Sequence, residues 1–85
     1  MPRDDIHILY FAWVREITGV DGERLVLPVS GLTGAALLTQ LTEKYPGLKA
    51  RADRLLIAIN QTQSDPETPL KPGDEVALFP PVTGG

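Results

Sequence analysis

The sequence predicts an α+β domain in which one helix lies across one face of a mixed β-sheet. The chain has 85 residues, which is enough for one domain with a modest core. Four short runs of apolar, β-branched and aromatic residues have the composition of strands. One longer run, between the second and third of these, has the apolar spacing of a helix.

The first predicted strand covers residues 5–14, which are rich in β-branched and aromatic side chains. Both of its faces are largely apolar, so we expect a central strand that is covered on at least part of its second side. A short helical turn follows at 14–19 and ends at Gly19, because glycine readily adopts the left-handed backbone that closes a helix. The second strand is predicted at 23–28, where Pro28 closes it.

The helix is predicted at 34–45, with the Thr33 hydroxyl as its N-terminal cap. Its buried stripe consists of side chains three or four residues apart, namely Leu37, Leu38, Leu41 and Tyr45. Pro46 and Gly47 are expected to end the helix, because the residue before a proline is pushed out of the helical region.

A polar stretch at 49–54 leads to the third predicted strand at 55–59. Residues 62–69 contain two prolines and several turn formers, so we expect a loop there. The Pro-Gly pair at 72–73 predicts a type II turn, and the last strand follows at 75–80. One helix of about 12 residues covers only one face of such a sheet, which is the arrangement of the β-grasp, or ubiquitin-like, fold.

The composition excludes several classes of function. With no cysteine, one histidine and one methionine, the chain has little side-chain material for nucleophilic, redox or metal chemistry. Its net charge of −3 comes without the basic cluster that nucleic-acid binding requires. No apolar run approaches the ~20 residues that span a bilayer, and residues 1–5 do not match a signal peptide. We therefore expect a cytoplasmic protein that binds no nucleic acid, membrane or metal.

The chain ends in two prolines and two glycines, in the order Pro80, Pro81, Val82, Thr83, Gly84, Gly85. Consecutive prolines donate no backbone N–H and fix φ, so the last strand must stop and the chain must leave the sheet in extended form. The five residues beyond Pro80 reach roughly 17 Å, and the glycines let the tip pass through a narrow channel. We therefore expect a domain at 1–80 and an extended tail at 81–85.

The terminal carboxylate offers chemistry that the side chains do not. A carboxylate is a poor electrophile because it is anionic and resonance-stabilised, but adenylation by ATP turns one oxygen into part of a leaving group. Sulfide from a donor then displaces the nucleotide and leaves a thiocarboxylate at Gly85. That group is a soft nucleophile that is ionised at neutral pH, as a thiolate is.

Three segments resemble the small, sulfur-carrier subunits of molybdopterin synthase: residues 11–16 (FAWVRE) with Gly19, residues 58–61 (AINQ), and residues 73–85 (GDEVALFPPVTGG). The last 13 residues are the most specific part. The resemblance implies that a ubiquitin-activating-type adenylyltransferase uses ATP to activate Gly85, which becomes a thiocarboxylate.

The resemblance also implies a destination for the sulfur. The tail enters the large, catalytic subunit of the synthase and gives sulfur to cyclic pyranopterin monophosphate, within a heterotetramer. By this reasoning the chain itself is a non-catalytic subunit that binds no cofactor, and ATP is bound by the activating partner.

Two residues are candidates for partner binding. Phe79 is predicted on the sheet face opposite the helix, next to the tail, where an apolar patch suits docking; ordinary packing is the alternative. Arg15 is a candidate to pair with an acidic group of the activating enzyme, or else it is a solvated charge. His7 is expected to be a strand residue with a local partner, because no second histidine or carboxylate pair accompanies it.

Other proteins use the same terminal glycines. A sulfur carrier of thiamine synthesis or tRNA thiolation, or a ubiquitin-like protein modifier, fits the same chemistry, and an inert β-grasp interaction module would not use the tail. The ending at 79–85 and the segment at 11–16 favour the molybdopterin pathway.

Overall fold

The structure, a computed structural model, describes residues 4–81. These residues form one five-stranded mixed sheet with the strand order β2-β1-β5-β3-β4. The strands are β1 (Asp5–Tyr10), β2 (Gly22–Val26), β3 (Leu56–Ile59), β4 (Thr62–Gln63) and β5 (Glu75–Phe79). The helices are α1 (Trp13–Thr18), α2 (Gly34–Lys44) and α3 (Pro46–Lys49), and a 3₁₀ turn at Ala52–Arg54 follows them. β1 and β5 are parallel, and the other paired strands are antiparallel.

The core lies between the sheet and α2. Alternate side chains of a strand point to opposite faces, and one face of β1 and β5 is at most 2% exposed. The residues on that face are Ile6, Ile8, Tyr10, Val76 and Leu78. Leu37 and Leu41 of α2 belong to the same cluster, so the predicted helical stripe is confirmed.

Both predicted helix boundaries that rest on capping are confirmed. The Thr33 hydroxyl accepts a hydrogen bond from the Ala36 N–H at 3.1 Å and so caps α2. Gly19 ends α1 with a left-handed φ of 80°, and its N–H donates to the Arg15 carbonyl at 2.8 Å.

The first strand is shorter than predicted. β1 ends at Tyr10, because Ala12 has φ 55° and ψ −133°, which is incompatible with an extended strand. Trp13 therefore begins α1 and packs against the core, whereas the predicted strand at 5–14 included it. The second strand is also shorter, since β2 ends two residues before Pro28.

The segment after α2 contains more regular structure than predicted. α2 ends before Pro46, as expected, but Pro46 then occupies the first turn of α3, where its missing N–H costs no hydrogen bond. The predicted loop at 62–69 begins with β4, which pairs with Ala58 and Ile59, so the sheet has five strands and not four. Asn60 and Gln61 both have positive φ and form the two-residue turn between β3 and β4.

Candidate functional site

The predicted reactive end lies outside the described residues. Val82, Thr83, Gly84 and Gly85, which is the predicted acceptor of sulfur, follow residue 81. The structure describes the point where the tail begins. β5 lies between β1 and β3, so the chain leaves the sheet from its centre and not from an edge.

The last two residues of β5, Leu78 and Phe79, form the segment that we call the tail root, and this segment is hydrogen-bonded on both sides. The Phe11 N–H donates to the Leu78 carbonyl at 3.1 Å on the β1 side. On the β3 side, Phe79 pairs with Leu56. Pro80 follows at once and ends the strand, as predicted, because it has no N–H to continue the ladder. The direction in which Pro80 departs is therefore set by two neighbouring strands.

The start of β5 is held by a polar network around the buried Asp74. Gly73 has φ 87°, and the Asp74 N–H donates to the Lys71 carbonyl at 3.0 Å, so the predicted type II turn is confirmed. The Asp74 carboxylate is 8% exposed and accepts hydrogen bonds from the Asn60 side-chain amide at 2.9 Å and the Lys71 N–H at 2.8 Å. The Asn60 side-chain oxygen accepts from the Glu75 N–H at 3.0 Å. Asn60 and Asp74 are thus structural members of the segments that carry the resemblance.

The sheet face opposite α2 is apolar near the tail. Phe79 is half-buried there, as predicted, because its neighbours in β5 point into the core. Strand pairing places it in a patch that we call the open face, formed by the half-buried Leu9, Leu56, Ala77 and Phe79 around the buried Ala58. None of these side chains belongs to the hydrophobic cluster under α2. The open face therefore has the composition of a docking surface.

Arg15 has an intramolecular partner. Its guanidinium lies 3.6 Å from the Asp21 carboxylate, and both side chains are mostly exposed. An exposed pair of this kind contributes little stability. Arg15 therefore stays accessible to a partner, and its predicted role remains a prediction.

A groove beside the tail root was not anticipated from the sequence. It has a volume of about 420 Å³ and is lined by Trp13, Arg51, Arg54, Pro80 and Pro81. From the sequence, both arginines belong only to a polar stretch. Their proximity to Pro80 could not be predicted, because it depends on how α3 and the 3₁₀ turn fold. The Arg51 guanidinium lies 5.0 Å from the centre of the Trp13 ring.

A second polar group, which we call the Glu23 cluster, joins β1, β2 and the C-terminal end of α2. The Glu23 carboxylate accepts hydrogen bonds from the Tyr10 hydroxyl at 2.5 Å, the Tyr45 hydroxyl at 2.6 Å and the Lys44 ammonium at 2.5 Å. Burial opposes the charge on Glu23, but these donors outweigh burial and lower its pKa. Burial and the hydrogen bond to Glu23 raise the pKa of Tyr10 far above its usual range.

The other sequence expectations concern side chains away from the tail. His7 is a half-buried β1 residue whose backbone N–H donates to the Asp74 carbonyl at 2.9 Å. Within residues 4–81, no group of three or more potential metal-ligating side chains comes together. No helix in this described part is long and apolar enough to cross a membrane.

The fold and the site define a class of protein: a small α+β domain whose central strand leads directly into a C-terminal tail. A family model described as the ThiS family matches residues 8–85. The molybdopterin synthase sulfur carrier subunit of Haemophilus influenzae is 42% identical over 82 residues, which cover 94% of this chain and 99% of that protein. The chain belongs to the ThiS family, and the resemblance to molybdopterin synthase sulfur carrier subunits is confirmed.

Solved structures agree with this placement. A putative molybdopterin converting factor subunit 1 from Pyrococcus furiosus superposes with a TM-score of 0.82 at 29% identity, over 92% of this chain and 98% of that one. Small archaeal modifier protein 1 of Haloferax volcanii has a TM-score of 0.79 at 26% identity, over 92% and 98%. A complex of subunits 1 and 2 of the molybdopterin-converting factor from Helicobacter pylori has a TM-score of 0.62 at 29% identity, over 95% and 99%. The predicted β-grasp fold is confirmed.

Proposed function

We propose that this chain is the sulfur-carrier subunit of a molybdopterin synthase and that the carboxyl group of Gly85 carries the sulfur atom that is transferred. The observation that supports the proposal most directly is the position of β5, whose end is hydrogen-bonded on both sides and continues into a Pro-Pro stem and a Gly-Gly end. Such an arrangement presents a terminal carboxylate at a distance from the domain. The close similarity to a named sulfur carrier over 94% of the chain supports the same assignment.

The proposed chemistry has three steps. First, a carboxylate oxygen of Gly85 attacks the α-phosphorus of ATP, and pyrophosphate leaves. Next, sulfide from a donor attacks the acyl carbon, AMP leaves, and the end becomes a thiocarboxylate. Finally, the thiocarboxylate sulfur attacks an oxygen-bearing carbon of cyclic pyranopterin monophosphate, and the oxygen substituent leaves that carbon. Water then hydrolyses the resulting thioester, which breaks the bond between the sulfur and the Gly85 acyl carbon and returns the Gly85 carboxylate. Two such transfers supply the two sulfurs of a dithiolene.

Partners supply every other reacting group in this proposal. An adenylyltransferase of the ubiquitin-activating type binds ATP and the tail, and the large subunit of the synthase binds the pterin. The complex of subunits 1 and 2 from Helicobacter pylori supports a large-subunit partner for this chain. We place two carriers at opposite ends of a large-subunit dimer, acting in the cytoplasm.

We assign docking of both partners to the open face, with Phe79 as its anchor. Half-buried aromatic side chains near the centre of an interface commonly contribute most of its affinity. Phe79 lies one residue before the stem, so a protein that encloses the tail also covers this side chain. Arg15 supplies a charged contact to the activating enzyme, at the cost of its weak pair with Asp21.

Intact mass spectrometry of the chain from cells tests the sulfur step. A carrier contains a fraction heavier by the mass difference between sulfur and oxygen, and deletion of Gly85 removes that fraction. Purified chain, large subunit and pterin precursor are then combined and assayed for dithiolene. Adding one alanine after Gly85 should abolish product while leaving the unfolding transition unchanged. A Gly85 deletion that still supports dithiolene formation would refute the proposal.

Two matched variants test the docking face. Phe79→Ala is expected to weaken binding to the large subunit by about tenfold or more, because it removes a central apolar anchor. Val29→Ala is the control: Val29 is a fully exposed apolar residue in the loop after β2, at the end of the sheet remote from Pro80. If both variants bind equally well, the open face does not contact the large subunit.

A protein modifier is the second candidate, and the similarity to small archaeal modifier protein 1 favours it. A modifier forms an amide between its terminal carboxyl group and a lysine of another protein. Proteolysis of cell extracts followed by mass spectrometry distinguishes the two functions. Lysine side chains that carry the terminal Gly-Gly of this chain indicate modification, whereas a thiocarboxylate with no such adducts indicates sulfur transfer.

A further inference from the structure

The groove at the tail root contains two arginines without acidic partners. Among the basic residues of the part described, Arg15, Arg24 and Lys44 each form an ion pair. Arg51 and Arg54 are exposed and form none within residues 4–81. Asp53 lies between them in sequence but does not line the groove. In a chain of net charge −3, the groove is therefore a local region of positive charge.

Trp13 positions one of these arginines. The Arg51 guanidinium lies 5.0 Å from the centre of the Trp13 ring, within the range of a cation–π interaction. Because Trp13 is fixed at the start of α1 and packs against the core, this contact restricts the Arg51 side chain. A guanidinium that is already oriented loses less entropy when its planar fork binds a carboxylate in bidentate fashion.

The groove lies where a protein that receives the tail must make contact. Pro80 and Pro81 form one of its walls, and the tail continues directly from Pro81. A partner that encloses residues 82–85 therefore removes water from Arg51 and Arg54. Desolvating an unpaired charge is strongly unfavourable. Binding is favourable only if the partner brings opposite charges to these two guanidinium groups.

We infer that the tail-root groove binds Asp or Glu side chains of the large synthase subunit, and that Arg51 and Arg54 anchor them. This inference rests on the proposed function, because it takes the large subunit as the protein that receives the tail. It adds a second contact area to the open face, made by charge and not by apolar packing. Phe79 of the open face and Pro80 of the groove are consecutive residues, so both areas adjoin the start of the tail.

Charge reversal with a matched control tests the inference. Arg51→Glu and Arg54→Glu are each expected to weaken binding of the full chain to the purified large subunit by tenfold or more, and the double variant by more than either. Lys71→Glu makes the same charge change at the opposite end of β5, where Lys71 is exposed. It should change affinity less than threefold. Thermal unfolding verifies that each variant is folded.

Two further measurements identify the chemistry of the contact. Wild-type affinity should fall as salt rises from low to physiological concentration, and the double variant should show a much weaker dependence. Arg51→Lys keeps the charge but loses the planar fork, so it should bind less tightly than wild type and more tightly than Arg51→Glu. Equal binding of the double variant and wild type overturns the inference.

The other possible occupants have their own outcomes. Saturable binding of inorganic phosphate or pyrophosphate to the free chain, lost in the double variant, assigns the groove to a phosphate group and overturns the inference. If the double variant loses the thiocarboxylate in cells but keeps its affinity for the large subunit, the groove binds the activating enzyme, and the inference is again overturned. Failure of the proposed function is separate, because it appears as a Gly85 that never carries sulfur.

Discussion

The Glu23 cluster predicts a measurable effect of removing one charge. Glu23→Gln keeps the shape of the side chain but replaces a carboxylate that accepts three hydrogen bonds by an amide with one acceptor oxygen. The amide nitrogen can only donate. It therefore faces either the two tyrosine hydroxyls, which must then act as acceptors, or the Lys44 ammonium, which cannot accept.

The size of the effect follows from the two tyrosine contacts. A hydrogen bond to a charged group contributes about 1.5–3 kcal/mol, and a neutral one about 0.5–1.5 kcal/mol. Weakening both tyrosine bonds therefore costs about 2 kcal/mol of the free energy of unfolding at neutral pH. The contact with Lys44 adds little to this cost, because the ammonium is exposed and ion pairs of that kind contribute little stability. For a domain of this length the melting temperature should fall by about 8–16 °C.

The pKa of Glu23 determines how the stability of the domain changes with pH. Because the donors hold the pKa of Glu23 below its ordinary value of 4.5, the carboxylate stabilises the fold fully above pH 4.5. That contribution is lost as the pH falls through the lower pKa of the folded state. The free energies of unfolding of wild type and Glu23→Gln, measured in urea, should therefore differ by a constant amount between pH 6 and 8. This difference should shrink as the pH falls below 4.5.

A control and a mutant cycle separate this effect from general charge effects. Glu43→Gln removes the same charge from an exposed position of α2 and should change stability by less than about 0.5 kcal/mol. Combining Glu23→Gln with Tyr10→Phe should cost less than the sum of the single variants, because the two residues share a hydrogen bond. Strict additivity, or a difference that does not change on acidification, would refute the reasoning.

Three further predictions are tested by urea unfolding. Ala12→Gly should stabilise the domain by about 1 kcal/mol, because Ala12 has a φ of 55° that favours glycine. By contrast, Ala36→Gly, in the first turn of α2, should destabilise it, because glycine has a lower helix propensity than alanine. Tyr10→Phe should lower stability at pH 7 but flatten its decline above pH 10, since the pKa of Tyr10 is raised in the folded state and its contribution is lost at high pH. Leu37→Ala should lower the free energy of unfolding by about 2–5 kcal/mol, because Leu37 is fully buried. Leu38→Ala should lower it clearly less, because Leu38 is only half-buried.

Local signals were sufficient for most of the fold. The Thr33 cap, Gly19 and the Pro-Gly pair at 72–73 each act over three or four residues. The neighbouring sequence alone therefore determines these helix ends and this turn. Strand alternation likewise placed Phe79 and the core residues of β5 on opposite faces. These features depend on backbone preferences and on burial of apolar area, which sequence patterns report directly.

The features that sequence reasoning missed depend on contacts between distant residues. β1 ends early because Ala12 adopts a backbone conformation that alanine rarely has, and only the surrounding structure can impose it. Asn60 adopts a positive φ, which asparagine tolerates, and that signal could have predicted the hairpin between β3 and β4. Nothing local links Arg51 to Trp13, since β2, α2 and α3 separate them in the chain.

The position of β5 restricts where the tail can change in length. Its start is fixed by Asp74, and its end by Pro80, with five strand residues between them. Within that interval, one inserted residue would move Phe79 from the open face to the core side and expose the side chains now buried under α2. A change in length is therefore tolerated only after Pro80, which ends the strand. Under the proposed function, the residues after Pro80 set the distance from the docking surfaces to the terminal carboxylate and have to match the depth of the partner's site, while the sheet determines only the direction of approach.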